Sequence, residues 1–313
     1  MGLHTEVRLH CGQFFQVLMM TSIHKGVFLG LAAYAAFSFS DAFIKLLKGG
    51  VPLWQLMFMG ALLGLLALPW VKQPGEHWLD LLRPRLPGIW LARMLFAAIN
   101  AFGALLAFTH LPMAEAFALI FLMPIFVTLL SVLVLKEQVG WRRWLAVLAG
   151  FAGVLVVLRP GFRELHWGHA GAVACGLAGA VGVVLVRLAG CREHRLTLYA
   201  TPLLGNLLIA GMLMLPQMML PTAQQWGYVL GYGLLAALGT VLLLYATLAT
   251  EVNHVAPTQY SQMLWAVLLG AWWFDDRVDA LTWLGIAMII AAGLFTLVRE
   301  RHVGSWWHRI KPS

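Results

Sequence analysis

Along this chain, long apolar runs alternate with short polar punctuation. Ten runs stand out, near 26–47, 53–71, 89–109, 113–135, 141–158, 168–189, 198–220, 227–249, 255–274 and 281–298. Most are about twenty residues long, the length a helix needs to cross the hydrocarbon core of a bilayer. The punctuation is of the kind that stops helices: Pro74, Pro84 and Pro87 in one connection, His110-Leu111-Pro112 in another, and Arg159-Pro160-Gly161 before the loop that ends at Trp167. The pattern predicts an all-α integral membrane protein of ten transmembrane helices, five on either side of that loop.

The stretch from Glu115 to Pro160 occurs twice. Sliding it by 139 places lays Val139, Trp144, Leu145, Ala152, Leu155 and Leu158 on Val278, Trp283, Leu284, Ala291, Leu294 and Leu297, and lays Lys136-Glu137 on Asp275-Asp276. The chain therefore divides into an N-terminal segment 1–25, a first repeat 26–160, a second repeat 161–298 and a basic tail 299–313. An odd number of spans per repeat turns the second upside down relative to the first. Inverted repeats of this kind are a recurrent design of secondary transporters.

Composition changes the picture only by closing alternatives. At 61% hydrophobic and 11% charged residues, with a mean hydropathy of +0.82, the chain has too little charge to surface a water-soluble domain. The net charge of +8 is scattered through short loops, so the partner it implies is a lipid bilayer and not nucleic acid. Of the Lys and Arg residues, only Lys45, Lys48, Arg159, Arg163 and Arg277 fall on one side, and the rest fall on the other. The positive-inside rule then puts both termini in the cytoplasm of a bacterial-type inner membrane. The first span is too long for a signal-peptide core and follows Lys25, so it reads as an uncleaved anchor. Met19-Met20-Thr21-Ser22 looks like a second beginning, with Met20 the expected start of translation. Cys11, Cys175 and Cys191 have no paired or metal-binding spacing.

Leu111-Pro112-Met113-Ala114-Glu115-Ala116, then Pro124, Lys136 to Trp144, Gly150, Gly153 and Arg159-Pro160-Gly161 together resemble the EamA family of the drug/metabolite transporter superfamily. The likeness spans residues 26–298 and is more specific in the first half. It implies ten helices and alternating-access movement of a small metabolite, often outward. Ser40-Asp41-Ala42-Phe43-Ile44-Lys45 resembles the branch that includes S-adenosylmethionine carriers. Many members carry an Arg in the second helix; Leu56-Met57-Phe58-Met59 has none, so no anion-binding role is carried over there.

Polar groups inside spans carry the chemistry, since each is costly in lipid. Tyr34, Ser38, Asp41 and Lys45 are spaced by four, three and four, which places them on one helical stripe. Two readings stand: a cavity wall in which Asp41 holds a substrate cation or a proton, or an Asp41–Lys45 pair that neutralises itself. Glu115, one turn into the fourth span, either sits on the helix dipole or couples transport to protons. Asn100 and Asn206 are interhelical glue or ligand contacts. Gln259 and Gln262 share a face with Trp265 one turn on, as substrate contacts or as packing. Pro124 and Pro257 mark hinges or tolerated kinks. Glu137 with Arg142 and Arg143 reads as a structural clamp at the interface.

The expected function is secondary active transport of a small polar or amphipathic metabolite of amino acid, nucleoside or S-adenosylmethionine type, by export. A proton-coupled importer of the same fold is the alternative. A different class, a prenyl-type transferase holding magnesium on Asp275-Asp276-Arg277-Val278-Asp279, is disfavoured: repetition already explains that charged turn, and no second acidic cluster exists. His166 and His169 form an isolated HxxH placed in a loop, so neither metal nor cofactor is expected. The carrier is expected to work as a monomer or homodimer.

Overall fold

The computed structural model describes residues 3–47, 49–73, 75–136, 140–158, 166–189, 192–250, 255–276 and 278–307. It is all-helical over these residues. Twelve α-helices follow in order: α1 Leu3–Leu46, α2 Leu53–Gly64, α3 Leu68–Val71, α4 Pro87–His110, α5 Met113–Ile120, α6 Met123–Leu133, α7 Trp141–Leu158, α8 Trp167–Ala189, α9 Arg195–Met214, α10 Ala223–Ala249, α11 Ser261–Phe274 and α12 Ala280–Trp307. They form ten rods, because α2 runs into α3 and α5 into α6.

Both joints have a local cause. Pro69 lacks an N–H and sits at the second position of α3, so the backbone tightens into a 3-10 turn at Leu65–Ala67 just before it. Pro124 does the same at the start of α6, and the rod breaks at Phe121 and Leu122. Pro124 is thus the first turn of a new helix and not a kink in a continuous one. Pro257 likewise lies in a 3-10 turn, Ala256–Tyr260, that precedes α11.

Seven rods are long and apolar enough to cross a membrane: His24–Leu46, Leu53–Val71, Pro87–His110, Met113–Leu133, Trp167–Ala189, Leu196–Gln217 and Ala223–Ala249. Rod nine, at 14 residues in α11, is shorter than that. In α7 the apolar stretch among the described residues is Val147–Val157. At the other end of the chain α12 is apolar over Ala280–Ala292. The first helix exceeds the expected run of 26–47, since its backbone is helical from Leu3 through the N-terminal segment.

Pairing between rods crosses the middle of the chain. α1 packs along α10, α4 along α8, α7 along α12 and α2 along α9. Glycines let two of these pairs close to backbone contact: a Cβ on Gly103 would stand 2.5 Å from the Gly171 carbonyl oxygen, and one on Gly285 would stand 2.6 Å from that of Gly153. Such small-residue crossings replace the hydrophobic drive that lipid cannot supply. The repeat register is visible in the backbone too. Lys136 and Asp275, superposed by the 139-residue shift, are the non-glycine residues with positive φ among those described, at 55° and 51°.

Gly103→Val should therefore wedge α4 from α8 and lower the melting temperature, with a loss of about 1–3 kcal/mol. Gly182→Ala on the same α8, where an added Cβ meets nothing within 4 Å, should be neutral or slightly stabilising. Thermal melting of both variants in one detergent measures the difference.

Candidate functional site

The polar stripe of α1 is where the sequence placed its strongest site, and its four members meet different ends. Tyr34 is half-buried with its ring edge on Phe37, centroids 5.9 Å apart. Ser38 is sealed and donates its hydroxyl to the Tyr34 carbonyl at 2.9 Å, so its own helix consumes it. Asp41 keeps open surface while its neighbours Ser40 and Ala42 are 2% and 0% exposed. It has neither a hydrogen bond nor an ion pair among the described residues, yet lies within electrostatic reach of the Cys175 thiol and the Tyr232 hydroxyl.

Lys45 does not neutralise Asp41. Its Nζ meets Asp276 Oδ2 at 2.5 Å, both side chains being about one-sixth exposed. The same carboxylate oxygen accepts the Met113 N–H at 3.2 Å, capping the start of α5. The left-handed turn at Asp275 redirects the chain after α11, and the Asp276 N–H donates to the Gly270 carbonyl at 2.9 Å, which fixes the carboxylate over α1 and α5. One carboxylate thus ties three rods together. It borders a cleft of about 630 Å³ lined by Lys45, Thr109, Trp273, Phe274, Asp275 and Asp276. Asp276 is engaged structurally here, and among the described residues no group of His, Cys, Asp and Glu could hold a metal ion.

Glu115 is buried, and its Oε1 lies 3.1 Å from His169 Nε2, also buried. The isolated HxxH is therefore not a loop feature: His169 stands in the first turn of α8. The His166 N–H donates to His169 Nδ1 at 3.2 Å, and the same nitrogen lies 3.4 Å from the His166 carbonyl oxygen, which orients the ring with Nε2 toward Glu115. The pair joins rod four to rod six across 54 positions of sequence.

Asn100 donates its amide to the Cys175 carbonyl at 2.8 Å and to its sulfur at 3.3 Å. It holds α4 to α8 at Cys175. Asn206 Oδ1 is buried without a hydrogen bond. Gln259 and Gln262 are half-buried and make no hydrogen bonds among the described residues. Trp265 stands against Phe39, centroids 5.7 Å apart. Phe39 and Asp41 are two residues apart and so lie on opposite sides of α1. The aromatic cluster of Phe39, Phe43, Tyr228, Trp265 and Trp273 therefore backs the stripe rather than joining it. Tyr260 stacks on Phe121 at the break in rod four. Of the clamp, Glu137 lies outside the described residues, as do the side chains of Arg142 and Arg143 in the first turn of α7.

The opposite end of the molecule is closed by exchanged caps that the sequence did not signal. Glu193, before α9, accepts the Leu86 N–H at the start of α4 at 2.5 Å; Glu76, before α4, accepts the Leu196 N–H at the start of α9 at 3.1 Å. Arg93 donates to the carbonyls of Gly182 and Leu198. Nearby, the His77 N–H donated to Asp80 holds that carboxyl below the usual carboxylate range. On the Lys45 side, Gln55 makes a two-bond amide clamp on the Met219 backbone, at 2.7 and 3.0 Å.

Comparison with known proteins was made against this geometry. The EamA-like transporter family model matches residues 24–159 and again 166–298. The chain is 30% identical over 242 residues to the riboflavin transporter of Rhizobium johnstonii, covering 75% of this chain and 78% of that protein. It is 27% identical over 281 residues to the pseudopaline exporter of Pseudomonas aeruginosa, covering 88% and 96%. The S-adenosylmethionine uptake transporter of Rickettsia prowazekii is 23% identical over 238 residues, covering 75% and 79%. A solved crystal structure superposes with a TM-score of 0.57 at 20% identity, covering 89% of this chain and 98% of that one, so the two share a fold.

Lys45→Met and Asp276→Asn should each destabilise the protein by leaving the other charge uncompensated, and the double variant should recover part of the loss. The coupling read from a double-mutant cycle on melting curves is expected at about 1–3 kcal/mol. Singles that simply add remove the pair from the account.

Proposed function

The chain belongs to the EamA-like transporter family, and from that premise we propose that it is a secondary active carrier that exports a small polar or amphipathic metabolite by alternating access. It is a transporter and not an enzyme, and the transferase alternative is set aside. The observation that carries the reading is the pairing of rods across the two matched segments. The first rod of one half packs on the third rod of the other, as α1 on α10 and as α4 on α8. The second rods pair with each other, and so do the fifth. That exchange is what two inverted five-helix repeats would produce, and it favours a central site able to face either side in turn.

In this reading both termini are cytoplasmic, and Lys45, Asp276 and Glu115 lie toward the outside. The Lys45–Asp276 pair latches the outer ends of rods one, four and nine; the exchanged caps of Glu76 and Glu193 hold the inner ends of rods three and seven. Each state needs one set of contacts loosened. Substrate meets Asp41 with Asn100 and Tyr34, and Gln259, Gln262 and Trp265 serve from rod nine when it moves. Pro124 and Pro257 give rods four and nine their hinges. Relatives named for riboflavin, pseudopaline and S-adenosylmethionine support a small metabolite as substrate, with amino acid, nucleoside and S-adenosylmethionine types as the proposed range. A proton-coupled importer is the second reading, favoured by the Glu115–His169 pair, which offers a buried titratable bridge between the halves.

Untargeted metabolite profiling, inside and outside cells, tests this. Cells making the intact protein are compared with cells making an Asp41→Ala/Glu115→Ala version at matched level. One compound should accumulate outside only with the intact protein. Its depletion from the medium would select the importer instead, and coinciding profiles would remove the two carboxylates from the site.

A further inference from the structure

The connection between rods two and three carries a 3-10 turn, Trp78–Leu82. Leu81 is the member of that turn that packs inward, onto the small core of Leu68, Leu196 and Ala200. Trp78, Leu79 and Leu82 lie outside that contact and are 51%, 59% and 65% exposed. Three bulky apolar side chains on one short turn are out of place in water.

Lys72 sets the depth of the turn. It follows Val71, where the apolar span of rod two ends, and its Nζ stands 5.7 Å from the centroid of the Trp78 ring. The turn is therefore folded back against the rod end, at the level where hydrocarbon gives way to headgroups and where indoles collect. Trp70, in the last turn of rod two and 57% exposed, marks the same level.

The charges of this end are sorted by direction. The Leu196 N–H donates to buried Glu76, the Thr197 hydroxyl donates to the Asp80 carbonyl at 2.8 Å, and Arg85 donates to the Arg192 carbonyl at 3.1 Å, so the turn is bolted to the connection between rods six and seven. All three carboxylates of the two connections accept backbone N–H groups: Glu76 also from Gln73, Asp80 from His77, and Glu193 from Leu86. Asp80 lies within electrostatic reach of Arg85. Arg83 and Arg192 are exposed, and neither guanidinium has a hydrogen bond or an ion pair among the described residues.

We infer that this turn is a lipid-docking surface, in which Trp78, Leu79 and Leu82 enter the headgroup boundary of the bilayer and the uncommitted Arg83 and Arg192 face the phosphates of anionic phospholipid. It rests on the chain spanning a membrane and on the orientation proposed above, which gives this end the cytoplasmic leaflet, and not on what is carried. Apolar area and attraction to anionic lipid act together in such a segment. Because the turn is bonded to Leu196 and Thr197 in the first turn of α9, docking also steadies the inner end of rod seven.

The test follows the melting temperature of the purified full-length chain in a non-ionic detergent as dioleoylphosphatidylglycerol, dioleoylphosphatidylcholine or glycerol phosphate is added. Phosphatidylglycerol should raise it at the lowest concentration. In Arg83→Gln/Arg192→Gln the half-saturating amount should increase roughly twentyfold, about fivefold for each charge removed. Lys25→Gln/Lys136→Gln removes two exposed cations elsewhere on the same end and should leave it unchanged. Trp78→Ser/Leu82→Ser should weaken the response to both lipids while melting close to wild type without lipid. In vesicles, a spin label on Leu82→Cys, combined with Cys11→Ser and Cys191→Ser, should meet oxygen more often than a water-soluble nickel chelate. Equal response to the two lipids, equal stabilisation by glycerol phosphate, equal losses in the arginine and lysine pairs, or a label open to the chelate each overturns the inference. The two readings fail separately: a chain that moves no metabolite in the profiling experiment sinks the carrier and leaves the lipid response in place, whereas a chain indifferent to phosphatidylglycerol sinks only the docking surface.

Discussion

The constraint on which this molecule depends is that lipid offers no hydrogen bonds. Every polar group inside the spans must be answered by protein or by a cavity: the hydroxyls of Ser38, Thr109, Thr128, Thr201 and Thr240 turn back onto their own helices, whereas the charged and amide groups find partners on rods distant in sequence. Lys45 and Asp276 are 231 positions apart, and the single oxygen that receives the Lys45 ammonium also receives the Met113 N–H. Glu115 is answered by His169, the Gln55 amide by the Met219 backbone, and the amide of Asn100 by Cys175. Against that background Asp41 stands out because it is not answered.

These partnerships also say which contacts a carrier has to give up as it cycles. On one side the bonds are an ion pair and a helix cap sharing an acceptor, so loosening Asp276 releases rods one, four and nine together. On the other side they are two carboxylates, each capping the helix that follows the other's loop. The two sets differ in depth: the Lys45 and Asp276 side chains are 16% and 17% exposed, whereas Glu76 and the Leu196 N–H it accepts are buried. An interaction as open as the first can hold one state without trapping it.

Much of this was legible in the sequence, for physical reasons that also set its limit. Apolar runs report spans because lipid demands them, and the 139-residue shift placed Lys136 on Asp275 before either was known to share a left-handed backbone. Periodicity likewise found the α1 stripe. What it could not see was the other wall. A period describes one helix, so the only partner it could offer Lys45, in one of the two readings left open, was Asp41 on the same stripe, and Asp276 was read as part of a charged turn. His169 was passed over although the run from 168 already held it, because a lone HxxH was weighed only as a metal motif; α8 begins at Trp167 and takes the second histidine into its first turn. The Gln55 clamp and the caps from Glu76 and Glu193 left no mark, because an isolated polar residue near a span end looks the same whether it faces water or a distant backbone. Trp265 was read with Gln259 and Gln262 as substrate contact or packing; it stands against Phe39, and the half-turn between Phe39 and Asp41 places it behind the stripe.

The glycine crossings carry a consequence for how such a chain comes to exist at all. Gly103 meets Gly171, and Gly153 meets Gly285, so each close crossing takes one helix from each half. Neither half can complete its own packing. While the ribosome is still making the second half, the first must wait in the bilayer with its small-residue seams occupied by lipid. Each half is in effect the other's solvent, and assembly is an exchange of one solvent for the other that begins only when α8 arrives.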